Sequence, residues 1–356
     1  MDSDIGERNK QMVSSNEQLR KVNETARPIM AIWIVVGGSF ILLFSLMLSI
    51  SLGTADIDLK TVWKAILQFN PDLQEHQIIW ELRLPRVIGA AIVGSCFAIS
   101  GALMQGMTRN PLADSGLLGL NAGAVFMLAV CFVVFPSMPY IYLILFSFLG
   151  AALGAGIVYG IGSLSKNGLT PIRLVLAGAA VSALLSALSE GIVLYYEVGQ
   201  DIAFWYAGGV SGVKWSHLEV IVPWLLIGFV GALMLSQSIT MLSLGEEVAV
   251  GLGEKTGRVK LLSAIIILIL AGAAVSVVGA VSFVGLIVPH ITRRLVGYDY
   301  RWIIPSSAVL GAILVVLADL AARTINRPYE IPIGALIALL GVPFFLYLVK
   351  KGGKGI

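Results

Sequence analysis

The sequence predicts an all-α, polytopic membrane protein with ten transmembrane helices. Three observations lead there. Of 356 residues, 57% are hydrophobic and 13% charged, and the mean hydropathy of +0.90 lies well above that of soluble domains. The apolar residues gather in runs of about twenty, the length that crosses a hydrocarbon core about 30 Å thick. Many of the 39 glycines fall inside those runs at small-xxx-small spacing, which lets helices approach closely in lipid.

Taken in order, a polar, mixed-charge tail (1–27) comes first and reads as cytoplasmic. The apolar run after it is about 25 residues long, more than a signal-peptide core holds, so it reads as a first span. Spans follow at about 28–52, 87–107, 117–136, 139–164, 173–196, 217–240, 261–281, 303–325 and 331–349. The stretch from Leu261 to Pro289 carries no charge and as one helix would be roughly 43 Å long, too long for a straight crossing. Gly279, Gly285 and Pro289 are its natural breakers, giving a full span (261–281) and a short return segment (282–296) that ends in His290-Ile-Thr-Arg-Arg294. Nine spans would separate the termini. Counting the return segment as the tenth crossing puts both basic ends on the cytoplasmic side, the tail with Arg8, Lys10, Arg20, Lys21 and Arg27 and the terminus 350–356 with Lys350, Lys351 and Lys354. Seventeen of the 24 Lys and Arg are then inside. The ten-helix domain covers 28–349. Gly119/Gly123, Gly150/Gly154 and Gly156/Gly160 are expected packing pairs, and Cys96 and Cys131 are expected core residues, with no disulfide or metal between them.

Chemistry inside the membrane is sparse. The basic residues flank spans instead of forming one patch, which argues against a nucleic-acid partner. Only Glu190 and Asp319 are ionisable well inside spans, too little for the midplane ion sites that secondary transporters use, so an ion-coupled carrier is the weaker alternative. His76, His217 and His290 are scattered, and no HExxH, GxSxG or paired-Asp motif occurs, so no enzyme, metal or bound cofactor is expected. Gly251-Leu-Gly-Glu-Lys-Thr-Gly257 lacks the glycine before lysine that a phosphate-binding loop needs. A pump without ion site or ATPase must take its energy from a partner. The segment 242–260 offers a surface for one. It reads as two short amphipathic helices broken at Gly251 and Gly253, with Leu244, Val248 and Leu252 on one face and Glu246, Glu247 and Glu254 elsewhere. The alternative is a helix lying flat on the membrane.

Seven segments then occur in a telling order: Glu81-Leu-Arg-Leu-Pro-Arg86; Ser100-Gly-Ala-Leu-Met-Gln-Gly-Met-Thr-Arg-Asn-Pro-Leu-Ala-Asp-Ser-Gly-Leu-Leu-Gly119; the Leu-Gly-Glu segment at 244–246; Phe283-Val-Gly-Leu-Ile-Val-Pro-His290; Ala318-Asp-Leu-Ala-Ala-Arg323; Glu330-Ile-Pro-Ile-Gly334; and Gly341-Val-Pro-Phe-Phe345. Across about 35–350 the chain resembles the permease subunit of type II ATP-binding-cassette importers, the group of the vitamin B12 and ferric-siderophore permeases. The resemblance implies a bacterial cytoplasmic-membrane complex. Two permeases, identical or homologous, would surround a central path, two ATPases would bind ATP and magnesium, and an extracytoplasmic binding protein would deliver the ligand. It implies that Arg83, Arg86 and Arg323 dock that protein, a task suited to the planar guanidinium fork. It places a cytoplasmic gate at Asn110 and Leu112 and another at Thr170 and Pro171, where Leu169-Thr-Pro-Ile172 departs from the Ser/Thr-rich pattern of the B12 permease. It assigns ATPase coupling to Leu244, Gly245, Glu246, Glu247, Val248, Leu252 and Gly253. The implied cargo is a ferric siderophore, with cobalamin or haem as alternatives.

Overall fold

A computed structural model describes residues 26–53, 57–163, 171–327 and 329–352. Among these residues there are helices and turns and no strand. In chain order the helices are α1 (Pro28–Ser51), α2 (Leu59–Leu67), α3 (Gln74–Thr108), α4 (Leu120–Val134), α5 (Tyr140–Ser163), α6 (Pro171–Tyr196), α7 (Gly199–Ala207), α8 (Trp215–Leu244), α9 (Glu246–Gly251), α10 (Thr256–Val278), α11 (Val284–Val296), α12 (Tyr300–Thr324) and α13 (Ile333–Gly352). Eight of them, α1, α3, α5, α6, α8, α10, α12 and α13, are long and apolar enough to cross a bilayer. Ten crossings require α4 and α11 as well, whose 15 and 13 residues rise only about 22 and 20 Å.

Hydrogen bonds fix which ends lie together. Arg27 N–H donates to Val296 O at 3.0 Å, setting the start of α1 beside the end of α11. Tyr300 N–H donates to Thr240 Oγ1 at 3.0 Å, setting the start of α12 beside the end of α8. We call this the proximal end. α13 begins against Ala207 and Ala280 at the opposite, distal end. Its 20 residues carry it back, so the start of α1 and the end of α13 share the proximal end.

α3 is the pillar of the bundle, flanked by α8, α10, α11 and α12 and buried along most of its length from Leu84 onward. It starts thirteen residues before the expected span. Pro85 cannot donate a backbone hydrogen bond and its ring displaces the carbonyl one turn back, and the helix accommodates it by widening to π geometry over Ile78–Arg83. Beside this lead-in, Trp80 Nε1–H donates to Ala65 O at 2.6 Å and Trp215 Nε1–H to Trp80 O at 2.7 Å. Phe69, Trp80 and Trp215 pack ring against ring, joining the starts of α3 and α8 to α2.

Glycines set the helix spacing. A Cβ at Gly101 of α3 would lie 2.0 Å from Gly285 O of α11, and one at Gly94 would lie 2.2 Å from Gly311 O of α12. The expected pairs at 119/123 and 150/154 interlock α4 with α5, since a Cβ at Gly123 would lie 2.1 Å from Gly150 O. Gly156 and Gly160 do not share this role: a Cβ at either would meet nothing within 4 Å. Cys96 and Cys131 are buried thiols in the core.

The long apolar run is broken, but by fewer residues than expected. α10 stops at Gly279 (φ 75°), and α11 starts after Phe283, itself left-handed at φ 71°. Gly285 and Pro289 both lie inside α11. The segment 242–260 also differs from the two-helix expectation. Gly245 (φ 144°) ends α8, α9 makes a turn and a half, Gly253 (φ 88°) turns the chain, and the second expected helix is simply the start of α10. The tail before residue 26 and the terminus after 352 lie outside the described residues.

Gly123→Ala is expected to lower the stability of the solubilised protein by about 1–3 kcal/mol, because backbone must move to admit the methyl. Gly156→Ala, with open space around the methyl, should not lower it and should raise it by up to about 1 kcal/mol. Thermal melting of both variants in detergent checks the contrast.

Candidate functional site

At the distal end, α1 finishes with carbonyls that have no partner inside the helix. Two guanidiniums meet them. Arg83 Nη1 donates to Ile50 O and, at 3.0 Å, to Ser51 O. Arg323 Nη2 donates to Ser49 O at 3.0 Å and to Ser49 Oγ, and its Nη1 to Leu52 O at 3.3 Å. Positive charge at a helix C-terminus also suits the helix dipole. Asp319, fully buried, stands between two cations. Its Oδ1 accepts from Arg86 Nη2 at 2.8 Å and Nε at 3.0 Å, and its Oδ2 is 3.1 Å from Arg323 Nη2. The rest of the Arg86 fork is bidentate on Glu330, at 2.8 and 3.0 Å.

The three expected docking arginines are therefore brought together, but not as outward cations. Arg83 and Arg323 are 7% and 4% exposed and are turned onto carbonyls. Arg86, with 12% of its side chain exposed, stands nearer the surface behind Glu330, which is 35% exposed. The two line a cavity of about 130 Å³ with residues 208–211 and Pro332, smaller than the roughly 300 Å³ at which ligand pockets begin. Sequence reasoning missed both carboxylates as partners. The signals were present: Asp319 and Arg323 are spaced i,i+4, and Glu330 opens one of the segments quoted above.

The helix break is held from α3 and from the loop after it. Gln105 Nε2 donates to Gly285 O and Leu286 O at 3.1 and 3.2 Å, and its Oε1 accepts from Arg293 Nη2. Asp114 Oδ1 accepts from Ser115 Oγ at 3.1 Å and Gly116 N–H at 3.2 Å, and its carboxylate also takes the N–H of Phe283. Burial pushes the Asp114 carboxyl upward, against the opposing pull of these donors. Neither Gln105 nor Asp114 was an expected site residue. Asn110 Oδ1 accepts from Leu112 N–H at 2.9 Å, closing a turn, and Leu112 packs on Leu286, Ile287 and Leu348. This half of the expected gate is thus seated on α11 and α13. Of the other half, Thr170 lies outside the described residues and Pro171 is the first residue of α6.

On the short helix α9, Glu246 pairs with Lys260 at 2.7 Å. Burial works to raise the Glu246 carboxyl, but the Lys260 ammonium, with Thr256 and Arg109 near, holds it below its ordinary range. Glu254 accepts from Ser238 Oγ at 2.8 Å. Leu244, Val248 and Leu252, the expected apolar ridge, are each half-buried, and Glu247 is exposed. The apolar side chain that α9 exposes most is Val250, absent from the expected set. No cluster of three or more His, Cys, Asp or Glu occurs among the described residues.

The chain is similar to known proteins along most of its length. The profile of the FecCD transport family matches residues 41–351. The chain is 49% identical, over 97% of its length and 91% of the relative, to the iron(3+)-hydroxamate import system permease protein FhuB of Bacillus subtilis (strain 168). It is 42% identical to the iron-uptake system permease protein FeuB of the same organism, over 90% of this chain and 96% of the relative. Against the hemin transport system permease protein HmuU of Yersinia pestis it is 38% identical, over 89% and 96%. Among solved structures, an inward-facing conformation of an ABC transporter assigned to the metal-chelate type superposes with a TM-score of 0.78 at 29% identity, covering 89% of this chain and 99% of that one.

Asp319→Asn removes the fully buried carboxylate that Arg86 and Arg323 share and is expected to cost about 3–5 kcal/mol. Glu330→Gln, at the half-exposed edge, should cost less than about 1 kcal/mol. Denaturant unfolding of the two variants measures the difference.

Proposed function

The chain belongs to the FecCD transport family, and from that premise we propose that it is the membrane-spanning permease of an ATP-driven importer of a ferric siderophore, of the hydroxamate kind first. The near-full-length identity with the iron(3+)-hydroxamate permease carries the cargo reading. In this reading an external binding protein delivers the chelate to the distal end, and this chain and a second permease, identical or homologous, pass it between them. Two ATPases, which hold ATP and magnesium, drive the cycle from the proximal end. In this reading that end faces the cytoplasm, which puts both termini on the cytoplasmic side of the bacterial membrane.

The geometry supports a division of labour among the proposed site residues. Arg83 and Arg323 build the distal platform by capping α1. Docking by charge then falls to Arg86, whose outer counter-ion Glu330 can give way to a carboxylate of the binding protein. Coupling falls to α9 and its flanks, Leu244 to Gly253, with the Glu246–Lys260 pair fixing α9 against α10 and Val250 adding to the ridge. Asn110 and Leu112 close the path on the proximal side, seated on the broken helix.

In a strain lacking the chain, re-expression should restore uptake of radiolabelled iron supplied as a ferric hydroxamate, and only when the ATPase is present. Restored uptake of haemin or cobalamin instead would change the cargo. Transport in ATPase-free vesicles under a proton gradient would return the ion-coupled carrier. A separate pair of variants tests the two faces. Arg86→Gln should weaken capture of the binding protein about tenfold or more, with ATPase association intact. Val248→Glu should insert normally and lose the ATPase, because a charge in a desolvated contact is costly. Binding-protein titration in nanodiscs and ATPase co-purification give the two readings.

A further inference from the structure

We propose that the proximal end also holds a binding site for a phosphate-type oxyanion, formed by Arg109, Arg293 and Arg294 around a cavity of about 640 Å³. The cavity opens between the ends of α3 and α8, the second half of α11 and the start of α12. Its wall carries the three arginines with Tyr298 and Tyr300, and no carboxylate. Among the described residues, no acidic side chain comes within ion-pair distance of any of the three. Glu246, which feels Arg109, is engaged by Lys260 at 2.7 Å, and Asp299, between the lining residues Tyr298 and Tyr300, is engaged by Arg301 at 2.7 Å.

Arg109 caps the C-terminus of α3 in the left-handed region at φ 53°, which turns the chain there, and its side chain and that of Arg294 are exposed. Arg293 is braced by Gln105. Like charges converging on one space without a counter-ion repel each other, and an anion between them removes that repulsion. A carboxylate has two oxygens, which a single guanidinium fork satisfies. Three forks and two phenols match the three or four oxygens of a phosphate, and the volume admits the group to which it is attached. That end is the one read above as cytoplasmic, where both anionic headgroups and soluble phosphates occur. Binding to purified protein does not depend on that orientation, so the two readings stand or fall separately.

The test uses the purified full chain and its Arg109→Asn/Arg294→Gln variant, since Asn tolerates a left-handed backbone. Inorganic phosphate is titrated in detergent against chloride at equal ionic strength. In a second arm, phosphatidylglycerol nanodiscs are compared with phosphatidylcholine nanodiscs, whose choline neutralises the lipid phosphate. Wild type should melt several degrees higher with phosphate or with phosphatidylglycerol, and the variant should lose that shift. A shift with phosphatidylglycerol alone identifies a lipid headgroup as the source, and a shift with free phosphate identifies a soluble one. An equal response of wild type and variant in both arms overturns the site. So does a variant that keeps its phosphate response and loses ATPase co-purification, since the cavity would then be a protein contact. If the double variant melts low in chloride, the exposed single change Arg294→Gln takes its place and should at least halve the shift.

Discussion

Close approach of backbones along α3 is the constraint on which the rest of the molecule depends. In lipid, apolar side chains gain little by leaving one hydrocarbon for another, so cohesion comes from van der Waals contact at short range and from satisfied polar groups. Gly94 admits α12 and Gly101 admits α11, while Gly106 leaves room for Ile239 and Tyr300. Because α11 lies so near, Gln105 can reach the carbonyls of Gly285 and Leu286, and Asp114 the N–H of Phe283. Because α12 lies so near at the other end, Asp319 can sit between Arg86 and Arg323. A broken helix and a buried carboxylate are both costly in an apolar phase. The same close packing supplies the partners for each.

Hydropathy made the spans legible because bilayer thickness dictates their length. Boundaries were less so. The first turns of α3 are polar enough to hide the helix before the span expected at 87–107, and Pro85 does not end it there but is absorbed by π widening. The nine residues of α7 are too few to show a period. That the 261–289 run must break followed from its length alone, but the place did not. Gly285 is needed for contact with α3 and Pro289 is tolerated inside α11, so neither acts as a breaker. The arginine cluster was legible in type and end, but not in direction. The Asp319–Arg323 pair is local, at i,i+4, but the partners of Arg86 lie 233 and 244 residues away along the chain, and no local pattern encodes that pairing.

The two ends manage charge differently. Distally Arg83, Arg86 and Arg323 are matched within the chain, by carbonyls of α1 and by Asp319 and Glu330. Proximally, the Glu246–Lys260 pair is matched, while three arginines share a cavity with no acid in its wall. Charge matched internally gives a rigid platform whose affinity for a visitor is tuned by exchange. Charge left over gives a standing attraction for anions.

The length of α3 carries one more consequence. At 35 residues it rises about 52 Å, some 20 Å more than the hydrocarbon it crosses. The surplus stands at the distal end, where Phe69, Trp80 and Trp215 lock it to α2 and α8. Tryptophans favour the headgroup layer, and here they are fixed to a stiff rod instead of a yielding loop. The molecule therefore carries its own depth gauge. A bilayer of the wrong thickness must thin or swell around the protein, or tilt α3 and with it every helix that touches its glycines. Lipid composition then becomes part of the transporter's mechanics.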